Sequence, residues 1–283
     1  MIGARASSTP TAGGLWTRVR TAALLTASLA GLLALGYTPL IALVFLLIVT
    51  CAAAEWAALA GPASRRRRVL FTAFVLACSL AALILPLRWQ LNLLVIATAF
   101  WVLALGLLWR VQCTEGKLPG GSTGWLVAGM LALVPAFLGA VLLQDLDPWL
   151  LPQVFLLVVT ADTAAYFGGR AWGRARLASR ISPGKTWAGV WSAFCAVPLA
   201  AILFNQLPVH APLTAWQAAA VAGVIVLSAI TGDLLESLFK RQAGAKDSGT
   251  LLPGHGGILD RIDSLLAAAP VYALIHLLRA DFQ

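Results

Sequence analysis

Residues 125–143, WLVAGMLALVPAFLGAVLL, form a run of nineteen side chains without a single charge. An α-helix needs ~17 to 25 apolar residues to cross the hydrocarbon core of a bilayer, and it satisfies its backbone polar groups within the segment. Eight further apolar runs lie at 21–36, 38–60, 69–85, 91–109, 149–167, 187–204, 216–236 and 264–279. The sequence therefore predicts an all-α, polytopic integral membrane protein with about nine transmembrane helices, forming one integral domain over residues 1–283. Residues 1–148 are mainly N-terminal spans, while 149–283 carry most of the acids and the glycine-rich basic loops.

Composition agrees, with 60% of the 283 residues hydrophobic and 11% charged, where a soluble domain has about 25% charged. A net charge of +9 raises nucleic acid as a partner, but the placement of the basic residues argues against it. With a cytoplasmic N-terminus and nine spans, all 20 Lys and Arg except Arg88 and Arg279 fall on the inner side, as the positive-inside rule expects. One missed span would scramble that alternation. Tryptophans such as Trp56, Trp89, Trp125 and Trp149 sit near predicted span ends, where an amphipathic ring anchors at the interface. The basic start at Arg18 followed by an apolar run resembles a signal peptide, but further spans follow at once, so it reads as an uncleaved first helix. Cys51, Cys78, Cys113 and Cys195 have no paired spacing and read as packing residues.

Up to residue 148 the one acid near a span end is Glu55, which reads as a snorkelling, paired carboxylate. Beyond it, three polar segments emerge on the cytoplasmic side: Asp162-Thr163 with Tyr166 to Arg170 and Ser182-Pro183-Gly184-Lys185-Thr186; Gly232 to Glu236; and the loop Lys240 to Asp263. Asp233 and Glu236 are three apart, as are Asp260 and Asp263, a spacing that puts partners on one helix face. Each pair is a possible half-site for a hard divalent cation, and each acid has the alternative of a plain salt bridge, such as Asp260 with Arg261 or Asp247 with Lys246. Lys240, Arg241, Lys246 and Arg261 supply charge for phosphate, and the backbone of Gly254-His255-Gly256-Gly257 offers N–H groups that approach phosphate closely. Ser182, Lys185 and Thr186 precede the seventh span, where a helix N-terminus favours anions. This is not a P-loop, because Ser179 stands where its first glycine belongs.

The run from Ser237 to Asp263, SLFKRQAGAKDSGTLLPGHGGILDRID, closely resembles the signature of the phosphatidate cytidylyltransferases, or CDP-diacylglycerol synthases. Residues 232–237, 161–163 and 182–187 are similar to the family's bacterial members, with Thr163 and Ala188 as departures. The resemblance spans about 160–275; before that it extends only to a compatible hydrophobic profile and the Glu55-Trp56 pair. It implies a Mg2+-dependent nucleotidyltransferase that joins CTP and phosphatidate into CDP-diacylglycerol and pyrophosphate, with a second cation as an option.

The implied catalytic set is Asp233, Lys240, Arg241, Lys246, Asp247, His255, Asp260, Arg261 and Asp263, of which Asp233, Asp260 and Asp263 hold metal. Asp162, Ser182, Lys185, Thr186, Gly256 and Gly257 are implied to bind substrate. Phosphatidate arrives laterally from the inner leaflet and CTP from the cytoplasm, at the cytoplasmic face of a bacterial inner membrane. A homodimer is a family expectation that no feature of the sequence requires. Two other classes compete. A CTP-dependent lipid or polyprenol kinase would release CDP, and an ion-coupled transporter would place acids mid-span across inverted repeats.

Overall fold

The computed structural model describes residues 27–61, 64–114, 121–206, 213–251 and 256–280. Among them the chain forms α1 (27–35), α2 (Thr38–Leu59), α3 (Arg65–Ile84), α4 (Leu87–Cys113), α5 (Gly121–Leu146), α6 (Leu150–Trp172), α7 (Trp187–Phe204), α8 (Ala215–Gln242) and α9 (Leu259–Ala280). Helices α2 to α9 are long and apolar enough to cross a membrane. Each falls on a run that the sequence singled out; residues 21–26 of the first run lie outside the described residues. An all-α, multi-pass membrane architecture follows.

Two helices form the centre of the bundle. In α5 and α9 the most apolar windows are 72% and 61% buried, against 22% in α3, which turns most of its surface outward. The outward faces of α3 and α4 carry Leu70, Phe74, Val102 and Leu103, all exposed. Such a helix, apolar on every side, suits hydrocarbon as its solvent. Helices α6 and α7 pack extensively and closely through small residues. A Cβ on Gly189 would stand 2.6 Å from the Ala165 carbonyl oxygen, and one on Gly168 would stand 1.8 Å from Ser192 Oγ. Small residues at helix crossings give this close contact in a membrane.

The helices outrun the apolar windows at their polar ends. Lys240 and Arg241 lie in the last turn of α8, and Asp260, Arg261 and Asp263 lie in the first turns of α9, not in one continuous loop. Cations at a helix C-terminus and acids at an N-terminus complement the helix dipole, so the charged residues prolong the helices.

Between α6 and α7 the chain makes an antiparallel hairpin, β1 (Arg176–Ala178) and β2 (Ser182–Thr186), with Arg176 opposite Thr186. Ser182, Lys185 and Thr186 thus precede the seventh span as expected, but in a strand that the sequence did not suggest. Pro183 lacks an N–H and Gly184 is a poor helix former, so the segment pairs sideways and the helix waits for Trp187. Thr186 Oγ1 then accepts the Gly189 N–H at 3.2 Å and caps α7.

One aromatic stack ties α2, α5 and α8 together near the polar end. Phe239 stacks on Trp125 at 4.2 Å and leans on Trp56 at 4.8 Å, while Trp56 Nε1 donates to the Trp125 carbonyl oxygen at 2.7 Å. Trp56 is 1% exposed, so it is a core residue and not the interfacial anchor that its position in the sequence suggested.

Candidate active site

The C-terminal ends of α2, α6 and α8 meet the N-terminal ends of α7 and α9 at one end of the bundle. The tightest crossing there is at Gly232 on α8, where a Cβ would stand 2.3 Å from the Asp263 carbonyl oxygen. Only glycine lets the two backbones meet, and the next residue, Asp233, is thereby brought beside Asp263. Lys185, from the end of β2, reaches over with Nζ 2.6 Å from Asp233 Oδ2. Ser237 Oγ donates to the other oxygen, Oδ1, at 3.2 Å. Asp162 and Asp263 both lie within electrostatic reach of Asp233 and Lys185. Three carboxylates thus share one ammonium group.

Asp162, Lys185, Thr186 and Asp233 line a cavity of about 300 Å³ whose other walls are apolar, with Ala165, Val190 and Ile230 among them. Polar groups converging in an apolar cleft are the usual form of a small-molecule site.

A second ionic group stands beside the first. Lys240 Nζ is 2.5 Å from Glu236 Oε2 and 2.6 Å from Asp260 Oδ1. Glu236 is 1% exposed, and its Oε1 has no hydrogen-bond partner among the described residues. Asp260 Oδ2 accepts the Ser248 N–H at 2.9 Å, the Gly257 N–H at 2.8 Å and contacts Ser248 Oγ at 2.9 Å. Asp260 therefore pairs with Lys240, not with its neighbour Arg261.

Behind this group lies a residue for which the sequence suggested no functional role. Glu55 is 6% exposed, so it does not snorkel. Its Oε1 accepts the Ile258 N–H at 3.0 Å, and its Oε2 accepts the Leu259 N–H at 2.9 Å and lies 2.9 Å from Ser248 Oγ. Ser248, equally unforeseen, is buried between the two carboxylates. The signal was available in principle: an acid inside an apolar run is costly and needs partners. Its partners lie some 200 residues downstream, beyond the reach of any local pattern.

The remaining expected residues are placed as follows. Arg241, Lys246 and Asp247 are exposed. Arg261 lines a separate, otherwise apolar cavity of about 270 Å³ with Phe45, Phe155 and Leu265. The Gly257 N–H, expected to meet phosphate, is committed to Asp260, and Gly256 adopts φ +83 beside the same carboxylate. Gly254 and His255 lie outside the described residues. Asp233, Asp260 and Asp263 do not stand as one assembled ligand set. Among the described residues no three His, Cys, Asp or Glu side chains are grouped closely enough to hold a metal ion.

The chain matches the model of the Cytidylyltransferase family over residues 16–278. It is 42% identical over 232 residues to the phosphatidate cytidylyltransferase of Pseudomonas aeruginosa, covering 81% of this chain and 84% of that protein. It is 38% identical over 197 residues to the Haemophilus influenzae protein of the same name, covering 65% and 68%. With the Brucella suis phosphatidate cytidylyltransferase it shares 43% identity over 162 residues, 56% of this chain and 58% of that one.

Proposed function

Because this chain belongs to the cytidylyltransferase family, we propose that it joins CTP and phosphatidate into CDP-diacylglycerol with release of pyrophosphate, at the two ionic groups around Lys185 and Lys240. The observation that carries this reading is the pairing of two lysines with a surplus of carboxylates at one end of the bundle, next to a cavity with apolar walls. A phosphate monoester near neutral pH is itself a nucleophile, so the protein needs no strong general base. Its task is to bring two anions together and neutralise them.

Lys185 and Lys240 are the groups that turn from carboxylate to phosphate when substrates bind. The Asp162 cavity takes the lipid head, with its apolar walls toward the glycerol and the chains. The expected Asp233, Asp260 and Asp263, with Asp162 in reach, suit Mg2+ in their donor chemistry. Asp162, Asp233, Glu236, Asp260 and Asp263 are five acids facing two lysines, and hard divalent cations prefer carboxylate oxygens. Asp233 and Asp260, now paired with Lys185 and Lys240, are the acids that would hold such an ion once phosphate draws the lysines away. When bound, Mg2+ neutralises phosphate charge and stabilises the pyrophosphate that leaves.

We place this end at the cytoplasmic face of a bacterial inner membrane. Arg65 to Arg68 open α3 immediately after α2 ends beside the site, and basic residues gather on the inner side. The test is purified protein in detergent micelles with phosphatidate, Mg2+ and CTP labelled at the α-phosphate, repeated with Asp260→Asn. Label in the lipid with equal pyrophosphate, lost in the variant, is the expected result. Label remaining in soluble CDP would make the protein a kinase instead.

A further inference from the structure

At both described ends of the segment between α8 and α9, groups converge on a single carboxylate from α2: the buried Ser248 hydroxyl on one side, and the N–H groups of Ile258 and Leu259 on the other. We infer that Glu55 is a positioning residue for nucleotidyl transfer: it clamps this segment and thereby sets the Asp260–Lys240 pair. The inference rests on the reaction proposed above.

Three observations carry it. Glu55 spans two successive amides at the start of α9, where the helix dipole favours an anion. The contact with Ser248 is not needed for that capping, and Ser248 Oγ lies 2.9 Å from Glu55 Oε2 and 2.9 Å from Asp260 Oδ2. One hydroxyl therefore joins the carboxylate of α2 to the carboxylate that holds Lys240. The surrounding backbone is also shaped to the Glu55 head group. A Cβ on Gly249 would stand 2.6 Å from Glu55 Oε1, and one on Gly257 would stand 2.3 Å from Oε2. These glycines of the family-like run thus make room for Glu55, a residue far outside the run.

The chain of contacts runs Glu55, Ser248, Asp260, Lys240, Glu236, from α2 through the loop to α9 and α8. Asp260 takes two of its bonds from Ser248 N–H and Gly257 N–H, both in the clamped segment. Releasing that segment frees Asp260, and the Lys240 ammonium with it. A misplacement of about 1 Å at a reacting centre can cost on the order of 100-fold in rate.

The experiment compares wild type, Glu55→Gln, Glu55→Asp and Val49→Ala in the labelled-CTP assay, with melting followed on the same samples. Glutamine keeps the size but sets an NH2 donor among groups that donate. Val49 is a buried residue on the same helix and controls for mere destabilisation. The expected result is a fall of at least tenfold in kcat for Glu55→Gln, with KM for phosphatidate within threefold. Glu55→Asp, which keeps the charge, should be intermediate, and Val49→Ala should melt lower while keeping its kcat per folded molecule. A folded Glu55→Gln protein with wild-type kcat, whatever its melting temperature, would overturn the inference. If that variant does not fold, Ser248→Ala breaks the same link from the loop side and is judged by the same tenfold criterion. Absence of transfer by the wild-type chain would sink the reaction itself, an outcome separate from loss in the variants alone.

Discussion

Gly232 of α8 and Asp263 of α9 are in backbone contact: a single methyl on Gly232 would stand 2.3 Å from the Asp263 carbonyl oxygen. The atom in the way is main chain, so it cannot swing aside. Gly232→Ala therefore forces the two helices apart, at about 1–3 kcal/mol for an overpacked contact. It also separates Asp233 from Asp263. The expected outcome is a lower melting temperature in detergent together with a loss of turnover greater than tenfold, read from labelled CTP.

The Lys240 ammonium is in contact with both Glu236 and Asp260. Lys240→Met removes it and leaves buried carboxylates facing each other, a change that costs about 3–5 kcal/mol when one partner of a buried pair is lost. The variant should be inactive and unfold well below the wild type. Lys240→Arg keeps the charge and should recover folding more than activity, since the planar guanidinium does not reproduce a compact ammonium between two acids. Melting curves and turnover, measured in parallel, check both statements.

Tyr272 provides the contrast on the same helix. Its hydroxyl donates to Gln153 Oε1 at 2.5 Å in a buried setting, nine residues beyond Asp263, or roughly 14 Å along the axis. Tyr272→Phe should lower stability by about 1–2 kcal/mol, the worth of a buried hydrogen bond whose partner is left alone. Its kcat should match the wild type.

Divalent-cation dependence gives a fourth test. Asp233→Asn removes one of the three carboxylates near Lys185, the one in contact with it, so the Mg2+ concentration for half-maximal activity should rise at least tenfold. Lys185→Met leaves the acids in place. It should raise KM for substrate without a comparable rise in the Mg2+ requirement. Titrations of Mg2+ at saturating CTP, and of each substrate at saturating Mg2+, separate the two effects.

Much of this was legible in the sequence, because the information was local. Uninterrupted apolar runs such as 125–143 fixed where helices lie, since a bilayer leaves few other ways to satisfy a backbone. The acids and lysines of the site stood out against a chain poor in charge. What the sequence concealed depends on pairings across distance. Ser182 to Thr186 gave no sign of its strand because its partner, β1, is only three residues long. Asp260 offered Arg261 as the nearest cation, whereas folding delivers Lys240 from another helix. Glu55 read as a snorkelling, paired carboxylate; it is paired, but buried, and its donors arrive only when α9 docks.

The glycine seam between α6 and α7 has a consequence for traffic. With Ala165 pressed on Gly189 and Gly168 on the small side chain of Ser192, these two helices have little side-chain cushion to compress and form one stiff panel along the cavity. Parting them would break the backbone contact between Gly189 and Ala165. A lipid that reached the cavity would therefore pass beside this panel and not through it, so substitutions in the seam should alter stability more than acyl-chain preference.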